Sequence, residues 1–250
     1  MTATAHAAQR LLLPATVTAC LFDLDGVLTR TATLHAAAWK SMFDEFLRRR
    51  GGPFVPFDAH DDYDNHVDGK ERNDGVRSFL AARGIELAEG AADDPPELDT
   101  VRGLGNRKNA LVLELIRRRG VEPYPDAVRL LGAVRAAGVP SAVVSSSTNC
   151  RDVLAAAGLA GFFDARVDAV VAAAERLAGK PAPDMFVAAA RRLGVAPASA
   201  AVFEDALVGV EAGRAGGFSP VVGVDRVGQA DALRAHGADI VVRRLDELLA

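Results

Sequence analysis

The second half of the chain alternates short apolar runs with helical patterns, and this alternation restricts the fold more than any other feature. The apolar runs cover residues 141–145, 165–170, 200–204, 220–224 and 239–242. The helical patterns between them cover residues 127–137, 151–157, 182–193 and 207–215. Strands that are apolar along their whole length and alternate with helices are typical of a parallel sheet covered on both faces. The alternation therefore predicts a three-layer α/β fold.

Glycines mark the ends of the predicted helices. One follows each helical pattern: Gly138, Gly158, Gly194 and Gly216. Because glycine has no Cβ, it adopts the left-handed conformation that commonly ends a helix. The sequence thus predicts a Rossmann-like parallel-sheet core, in which ligands bind beyond the carboxyl ends of the strands.

The region before residue 121 follows a different pattern. Helical patterns cover residues 34–50, 74–83 and 107–119. No β-rich run lies among them, and loops rich in Pro, Gly and Asp interrupt them at residues 51–65 and 87–101. The sequence of this region therefore predicts a group of helices that contains no β-sheet.

The position of these helices predicts the domain organisation. An apolar run at residues 17–22 precedes them, so the helices form an insertion after the first strand. We predict an α/β catalytic core from residues 15–30 plus 121–250 and a helical cap domain from residues 31–120. Residues 1–14 are expected to form a flexible tail.

The composition excludes several classes of protein. A net charge of −4 over 250 residues argues against a general nucleic-acid surface. Two cysteines, Cys20 and Cys150, are too few for a disulfide framework. The leucine run 11–13 is too short for a secretion signal, and no run approaches the roughly 20 apolar residues of a membrane helix. We therefore expect a cytoplasmic monomer without nucleic-acid or membrane partners.

Two predicted strands end in pairs of carboxylates. Asp23 and Asp25 follow the first apolar run, and Glu204 and Asp205 come at the end of the run at 200–204. If both strands are central, the four acids lie together, and their mutual repulsion raises their pKa values. A hard divalent cation such as Mg²⁺, which prefers oxygen ligands, relieves that repulsion. The alternative is that the acids are solvated turn or cap residues.

A hydroxyl cluster and a lysine lie at two further strand ends. The run at 141–145 leads into Ser145-Ser146-Ser147-Thr148-Asn149 and a helix, where hydroxyls and free N–H groups can bind an anion. An ordinary helix cap is the alternative. Lys180 lies in a segment whose backbone direction is fixed by prolines. A solvated lysine is the alternative there.

In chain order, these strand ends resemble the four motifs of the haloacid dehalogenase superfamily. Asp23-Leu24-Asp25-Gly26 matches the first motif, Ser145 the second, Lys180 the third and Glu204-Asp205 the fourth. The match covers the chain from about residue 16 to the C-terminus, and the order and spacing of the motifs make it specific.

The resemblance implies an enzyme that transfers phosphoryl groups. Asp23 would be the nucleophile that forms an aspartyl-phosphate, and Asp25 the general acid and base. Ser145 and Lys180 would bind the oxygens of the transferred phosphoryl group. The implied ligands of Mg²⁺ are Asp23, Asp25 through its backbone carbonyl, Glu204 and Asp205.

The inserted cap resembles the branch of the superfamily that acts on glucose phosphates. The residues implied to contact the substrate are Asp25, His35, Gly69, Lys70, Arg72, Lys108, Ser145, Ser147, Thr148 and Asn149. The resemblance implies interconversion of beta-D-glucose 1-phosphate and D-glucose 6-phosphate through an aspartyl-phosphate and a glucose 1,6-bisphosphate intermediate. A bisphosphate must be held at both ends, and Arg72 and Lys108 would supply the second cationic site. Surface charge is the alternative interpretation of these two residues.

Two residues depart from that branch, and two other functions stay open at this point. Thr148 stands where a lysine or arginine is common, and Arg30 replaces a common aspartate near the expected hinge. A phosphatase, in which water accepts the phosphoryl group, is the first alternative function. A non-enzymatic phosphoacceptor is the second, and the acid at position 25 and the large insertion argue against it.

Overall fold

The computed structural model of the protein describes residues 10–250. The strands are β1 (Ala19–Phe22), β2 (Ser141–Ser145), β3 (Ala165–Asp168), β4 (Ala200–Glu204), β5 (Val221–Val224) and β6 (Ile240–Val242). The helices are α1 (Ala32–Arg50), α2 (Arg72–Ala82), α3 (Val101–Arg119), α4 (Pro125–Ala136), α5 (Cys150–Ala156), α6 (Ala169–Glu175), α7 (Asp184–Leu193), α8 (Leu207–Ala215) and α9 (Ala230–Ala235), with a π-helical turn at Tyr63–Val67. Within this described range, no helix combines the length and the apolar character needed to cross a bilayer.

The strands form one parallel sheet in the order β3-β2-β1-β4-β5-β6. β1 is central, with Phe22 paired to Val143 on β2 and to Phe203 on β4. The order of the strands reverses between β1 and β4, and such a reversal leaves a crevice where ligands bind. The structure confirms the predicted parallel-sheet core and places the ends of β1 and β4 side by side.

Alternate residues of the central strand face opposite sides of the sheet. Cys20 and Phe22 belong to one buried apolar cluster, which includes residues of α4 and α5. Ala19 and Leu21 belong to a second cluster, which includes residues of α7 and α8. The sheet therefore lies between two layers of helices, and the predicted three-layer class is confirmed.

Helices α1, α2 and α3 are inserted after β1 and pack around an apolar cluster of their own. At its centre, the ring of Phe43 stacks on Trp39 with 5.3 Å between centroids and lies 4.0 Å from the ring of Phe79. Aromatic side chains of this size bury enough apolar surface to give the insertion its own core. The helical cap after the first strand is thus confirmed, while its limits at residues 31 and 120 stay a prediction.

Four local features differ from the predictions. Helix α3 begins at Val101 and not at residue 107, since the Thr100 hydroxyl caps it by accepting from the Gly103 N–H at 2.9 Å. The run at 165–170 is predicted as a strand, but β3 ends at Asp168 and α6 begins at the next residue. The Asp168 side chain accepts a hydrogen bond from the Val171 N–H at 3.0 Å and so caps this helix. Gly216 has a φ of −77°, and the left-handed residue after α8 is Gly217, with a φ of 71°. Helix α9 was not predicted because its 6 residues are too short to show a period.

The start of the described chain also differs from the expectation of a flexible tail over residues 1–14. Residues 1–9 of that tail lie outside the described residues. Leu11 forms an antiparallel bridge with Leu249, and the Leu12 N–H donates to the Leu248 carbonyl at 2.8 Å. This segment is therefore attached to the C-terminal end of the core.

The rings of Phe22 and Phe203 stack with their centroids 4.4 Å apart, near the ends of β1 and β4. A substitution at Phe203 tests how much this packing stabilises the core. Phe203→Ala removes a fully buried ring, so we expect the free energy of unfolding to fall by about 3–5 kcal/mol. Urea unfolding measures the change. Phe54→Ala is the control, because it removes the same ring from a site that is 41% exposed, and we expect it to cost less than about 1 kcal/mol. Equal losses in the two variants would contradict this view of the core.

Candidate active site

Three acidic side chains meet where β1 and β4 end. Asp23 directly follows β1, Glu204 is the last residue of β4, and Asp205 comes next. One carboxylate oxygen from each residue lies within 4.8 Å of the others, and all three residues are buried. The adjacency of β1 and β4 therefore brings these three predicted acids together, as an acidic cluster.

Lys180 joins two residues of the acidic cluster. Its ammonium donates to Asp23 Oδ1 and to Glu204 Oε1, each at 2.5 Å, and to the Val144 carbonyl at 3.3 Å. Burial opposes the charge of Lys180, but the two carboxylates outweigh burial and raise its pKa above the ordinary value. Lys180 is therefore protonated, although its side chain is fully shielded from solvent.

The acidic cluster holds more charge than Lys180 can balance. Burial, opposed by Lys180, raises the pKa of Asp23 to about 6 and the pKa of Glu204 to about 7. Burial and the neighbouring carboxylates also raise the pKa of Asp205. When all three are ionised, one ammonium leaves two negative charges unbalanced. A divalent cation supplies that charge, and the preference of Mg²⁺ for carboxylate oxygens fits these donors.

Gly26 allows the loop after β1 to approach Asp205. Its φ of +89° is a backbone conformation that favours glycine. A Cβ atom added at this position would lie 1.8 Å from Asp205 Oδ2. The glycine that follows the two aspartates in the sequence is therefore required by the packing of one acidic loop against the other.

Asp25 lies at the border between the core and the cap. Thr31 Oγ1 donates to Asp25 Oδ1, and His35 Nε2 lies 3.6 Å from the same oxygen. Burial raises the pKa of Asp25, and the Thr31 hydrogen bond opposes this effect in part. A carboxyl whose pKa is raised keeps its proton to a higher pH than a free aspartate, which favours a role as general acid as well as base.

His35 links Asp25 to a buried lysine of the cap. Lys108 Nζ lies 2.9 Å from His35 Nδ1 and 4.6 Å from the centre of the Trp39 ring. Burial lowers the pKa of Lys108 to about 7, and burial together with Lys108 lowers the pKa of His35. A neutral imidazole that accepts from Lys108 at Nδ1 carries its proton at Nε2, on the side of Asp25. The predicted residues His35 and Lys108 thus reach Asp25 through one chain of contacts.

A loop of the cap touches the core at Gly69. The Ser146 hydroxyl donates to the Gly69 carbonyl at 2.7 Å. Gly69 has a φ of +68°, and a Cβ atom there would lie 2.8 Å from the side chains of Ala206 and Val208. A larger residue would hold the cap away from the core, so glycine is needed for this close approach.

Arg72 reaches from the cap to the serine-rich segment of the core. Its Nη1 donates to Thr148 Oγ1 at 3.4 Å. Its Nε is buried and has no hydrogen-bond partner among residues 10–250. A buried N–H without a partner costs about 1–3 kcal/mol, so this atom fits a position where an anion binds. Asn149 Nδ2 donates to Asn109 Oδ1 at 2.9 Å and adds a further contact between core and cap.

The remaining predicted residues have contacts within their own domain. The buried Ser145 hydroxyl accepts from the Ser147 N–H at 3.2 Å, and the Ser147 hydroxyl accepts from the Asn149 N–H at 3.1 Å. The Lys70 ammonium donates to Ser78 Oγ at 2.9 Å, within the cap. The contact of Lys70 with a substrate stays a prediction.

One cavity lies between cap and core, and some of these groups line it, while three others lie outside its lining: Ser145, Lys180 and Glu204. The core lines it with Asp23, Asp25 and Asp205, and the cap lines it with Arg72 and Lys108. The cavity therefore has carboxylates suited to phosphoryl transfer and basic side chains suited to an anionic substrate, whose charge would favour the protonated form of Lys108.

Thr31, Tyr63 and Asp68 also belong to this site, and sequence reasoning missed them. Tyr63 and Asp68 line the cavity. Burial, followed by the Glu204 carboxylate, raises the pKa of Asp68 to about 7, so the cap adds an acid beside the acidic cluster. In the sequence, the π-helical turn and the loop after it show no regular spacing of apolar residues, so their contribution to the site could not be predicted. Such turns are nevertheless frequent at functional sites.

The fold and this site define an enzyme that transfers phosphoryl groups. The model of the haloacid dehalogenase-like hydrolase family matches residues 17–217, and the chain belongs to this family. A beta-phosphoglucomutase of Mycobacterium bovis is 58% identical over 95% of this chain and 93% of its own length. A beta-phosphoglucomutase of Bacillus subtilis is 33% identical over 92% of this chain and 91% of its own length. The crystal structure of beta-phosphoglucomutase from Clostridium difficile is similar with a TM-score of 0.74, at 25% identity and over 93% of both chains.

The acidic cluster predicts how pH and Mg²⁺ affect stability. Because the pKa values of Asp23 and Glu204 are raised to about 6 and about 7, the folded state keeps protons that the unfolded state has lost above about pH 4. Without a divalent cation, the free energy of unfolding should therefore fall as the pH rises from about 4 to about 7. Since Mg²⁺ binds the ionised acids, we expect it to raise the melting temperature more at about pH 8 than at about pH 5.

Scanning calorimetry with Mg²⁺ or with EDTA at both pH values measures this effect. Asp205→Asn should remove the stabilisation by Mg²⁺. Asp44→Asn is the control, since it alters a buried carboxylate of the cap and should leave that stabilisation in place. A Mg²⁺ effect of equal size in all three proteins, or a larger effect at the lower pH, would contradict a cation at the acidic cluster.

Proposed function

We propose that this protein has beta-phosphoglucomutase activity and depends on Mg²⁺. It interconverts beta-D-glucose 1-phosphate and D-glucose 6-phosphate through an aspartyl-phosphate and a glucose 1,6-bisphosphate intermediate. The close relatives of that name support the proposal. The site supports it as well, because it combines acids of the core with cations of the cap around one cavity.

The buried Nε of Arg72, unpartnered within residues 10–250, is the observation that carries the proposal. A mutase must hold a sugar bisphosphate by both phosphates, whereas a phosphatase needs to hold only one. Arg72 has a buried Nε without a partner among the described residues, and its Nη1 bonds weakly to Thr148 at 3.4 Å. Such a guanidinium has donors available for the phosphate that is not reacting.

Asp23 is the proposed nucleophile. A carboxylate oxygen of Asp23 bonds to phosphorus while the bond from phosphorus to the sugar oxygen breaks, which forms the aspartyl-phosphate. Lys180 bonds to Oδ1, so Oδ2 is available for this attack. The Lys180 ammonium and the Ser145 hydroxyl bind oxygens of the transferred group and offset its charge.

Asp25 is the proposed general acid and base. It removes the proton from the sugar hydroxyl that attacks the aspartyl-phosphate, and this step forms the bisphosphate. In the reverse half-reaction it returns a proton to the sugar oxygen as Asp23 takes the phosphoryl group. Thr31 and His35 hold the Asp25 carboxyl at the border between cap and core during both steps.

The acidic cluster and the cap supply two further conditions for a mutase. Mg²⁺ held by Asp23, Glu204, Asp205 and the Asp25 carbonyl would offset the charge of the phosphoryl group. The contact of Gly69 with Ser146 joins the cap to the core beside the site. A cap held there would exclude water and favour a sugar hydroxyl as the acceptor.

The direct test follows both products in one reaction. The protein is incubated with Mg²⁺, beta-D-glucose 1-phosphate and a trace of glucose 1,6-bisphosphate, and the alpha anomer serves as a control. We expect glucose 6-phosphate from the beta anomer in large excess over free phosphate, and neither product from Asp25→Asn. Free phosphate without glucose 6-phosphate would overturn the proposal and identify a phosphatase.

Arg72 tests the second anion site. Arg72→Lys keeps the charge but loses the forked guanidinium, so kcat/KM of the mutase reaction should fall about 10- to 100-fold, because a hydrogen bond to a charged group contributes about 1.5–3 kcal/mol. Hydrolysis of p-nitrophenyl phosphate, which has no second anionic group, should change less than about twofold. Steady-state kinetics of both reactions provide the comparison.

Arg77→Lys is the matched control for this variant. Arg77 lies on the same helix, α2, and pairs with Glu89 at the surface of the cap at 2.5 Å, so its replacement should alter neither reaction. If Arg72→Lys lowered the two reactions equally, Arg72 would support the site as a whole rather than bind the second phosphate.

A further inference from the structure

Arg226 lies between β5 and α9 and bonds to the backbone of the loop that contains Asp25. Its Nε donates to the Gly26 carbonyl at 3.1 Å, and its Nη2 donates to the Val27 carbonyl at 3.2 Å. These are two successive carbonyls directly after the paired aspartates. The two bonds therefore fix the orientation of two successive peptide groups.

The Arg226 guanidinium is itself held from the opposite side. Its Nη1 donates to the Arg243 carbonyl at 3.0 Å and forms an ion pair with Asp126 Oδ2 at 3.0 Å. The guanidinium lies 3.9 Å from the centre of the Tyr124 ring. Asp126 Oδ2 also accepts from the Leu245 N–H at 2.7 Å. The guanidinium plane is thus held by Tyr124, Asp126 and Arg243 as well as by the loop that it supports.

The loop that contains Arg226 also reaches the acidic cluster. Gln229 Nε2 donates to the Asp205 carbonyl at 3.0 Å. Asp225 Oδ1 accepts from the N–H groups of Gly228 and Gln229 at 2.6 and 2.8 Å, which fixes the shape of the loop. One loop therefore contacts both acid-bearing segments, the one after β1 and the one after β4.

Because Gly26 is closely packed, the contacts of Arg226 with this loop affect both Asp25 and Asp205. Gly26 approaches Asp205 so closely that a Cβ would overlap the carboxylate, and the Gly26 N–H donates to the Thr29 carbonyl at 2.8 Å. A rotation of the Gly26 peptide would therefore disturb Asp25 on one side and Asp205 on the other.

We propose that Arg226 is a positioning residue for phosphoryl transfer. It holds the backbone of residues 25–27 so that the Asp25 carboxyl and the acidic cluster keep their relative placement. The inference rests on the proposed function, and it assigns Arg226 no contact with the substrate. Lysine cannot replace arginine here, because a single ammonium cannot bond in one plane to three carbonyls and a carboxylate.

The test compares Arg226→Lys and Arg226→Gln with Arg214→Lys. Arg214 is an exposed arginine that lies 3.6 Å from Asp239, so it is a matched control. We expect kcat of the Arg226 variants to fall about 10- to 100-fold with KM changed less than about twofold, because a displacement of about 1 Å in an active site can cost about 100-fold. Hydrogen exchange of the peptide 23–31 should become faster, while exchange in α7 stays unchanged. Arg214→Lys should change neither measurement.

Several results would overturn the proposal. One is a folded Arg226→Lys protein with the kcat of the wild type. Others are a lower kcat with unchanged exchange at residues 23–31, or faster exchange of equal size throughout the chain, which indicates general destabilisation. If Arg226→Gln does not fold, the results for Arg226→Lys alone decide whether the proposal holds. If the wild type forms no glucose 6-phosphate, the proposed function fails, and hydrogen exchange with p-nitrophenyl phosphate hydrolysis still tests Arg226.

Discussion

The buried ammonium of Lys180, between Asp23 and Glu204, is the contact on which the rest of the site depends. Removing an ion from water costs several kcal/mol, so each of these charges requires the others. Lys180 and Asp23 are separated by 157 residues, and the adjacency of β1 and β4 brings the two acids to the same edge of the sheet. The charge balance of the site therefore depends on the order of the strands in the sheet.

The cap is joined to the core by contacts of a different kind from those inside it. Within the cap, the rings around Phe43 form an apolar cluster. At the boundary, the Ser146 hydroxyl bonds to Gly69, and Asn149 bonds to Asn109. Replacing such a hydrogen bond by one to water costs about 0.5–1.5 kcal/mol, far less than exposing the aromatic cluster to water. In the proposed function, these contacts would let the cap separate from the core for substrate entry while its own apolar cluster stays intact.

Features with a local signal could be predicted from the sequence, and features that depend on distant loops could not. The runs at 141–145 and 200–204 match β2 and β4 because they are apolar throughout, and their strand ends locate the serines and the acids. Asp168 is a local signal that was missed, since an aspartate before an alanine-rich segment caps a helix. Asp68 and Arg226 have no such signal, because loops far along the chain carry them to the site.

Thr148 stands where the resemblance leads us to expect a cation, and a contact with the cap bears on this difference. Its hydroxyl cannot offset phosphate charge, but the guanidinium of Arg72 lies against it at 3.4 Å. In the proposed function, the positive charge that a lysine at position 148 would supply from the core comes from the cap instead. The distal phosphate then binds more tightly to the closed state than to the open state, so its binding shifts the equilibrium toward closure. In the proposed function, a cation at position 148 would bind phosphate whether or not the cap is closed, whereas threonine would make phosphate binding depend on the contact of Arg72 with the core.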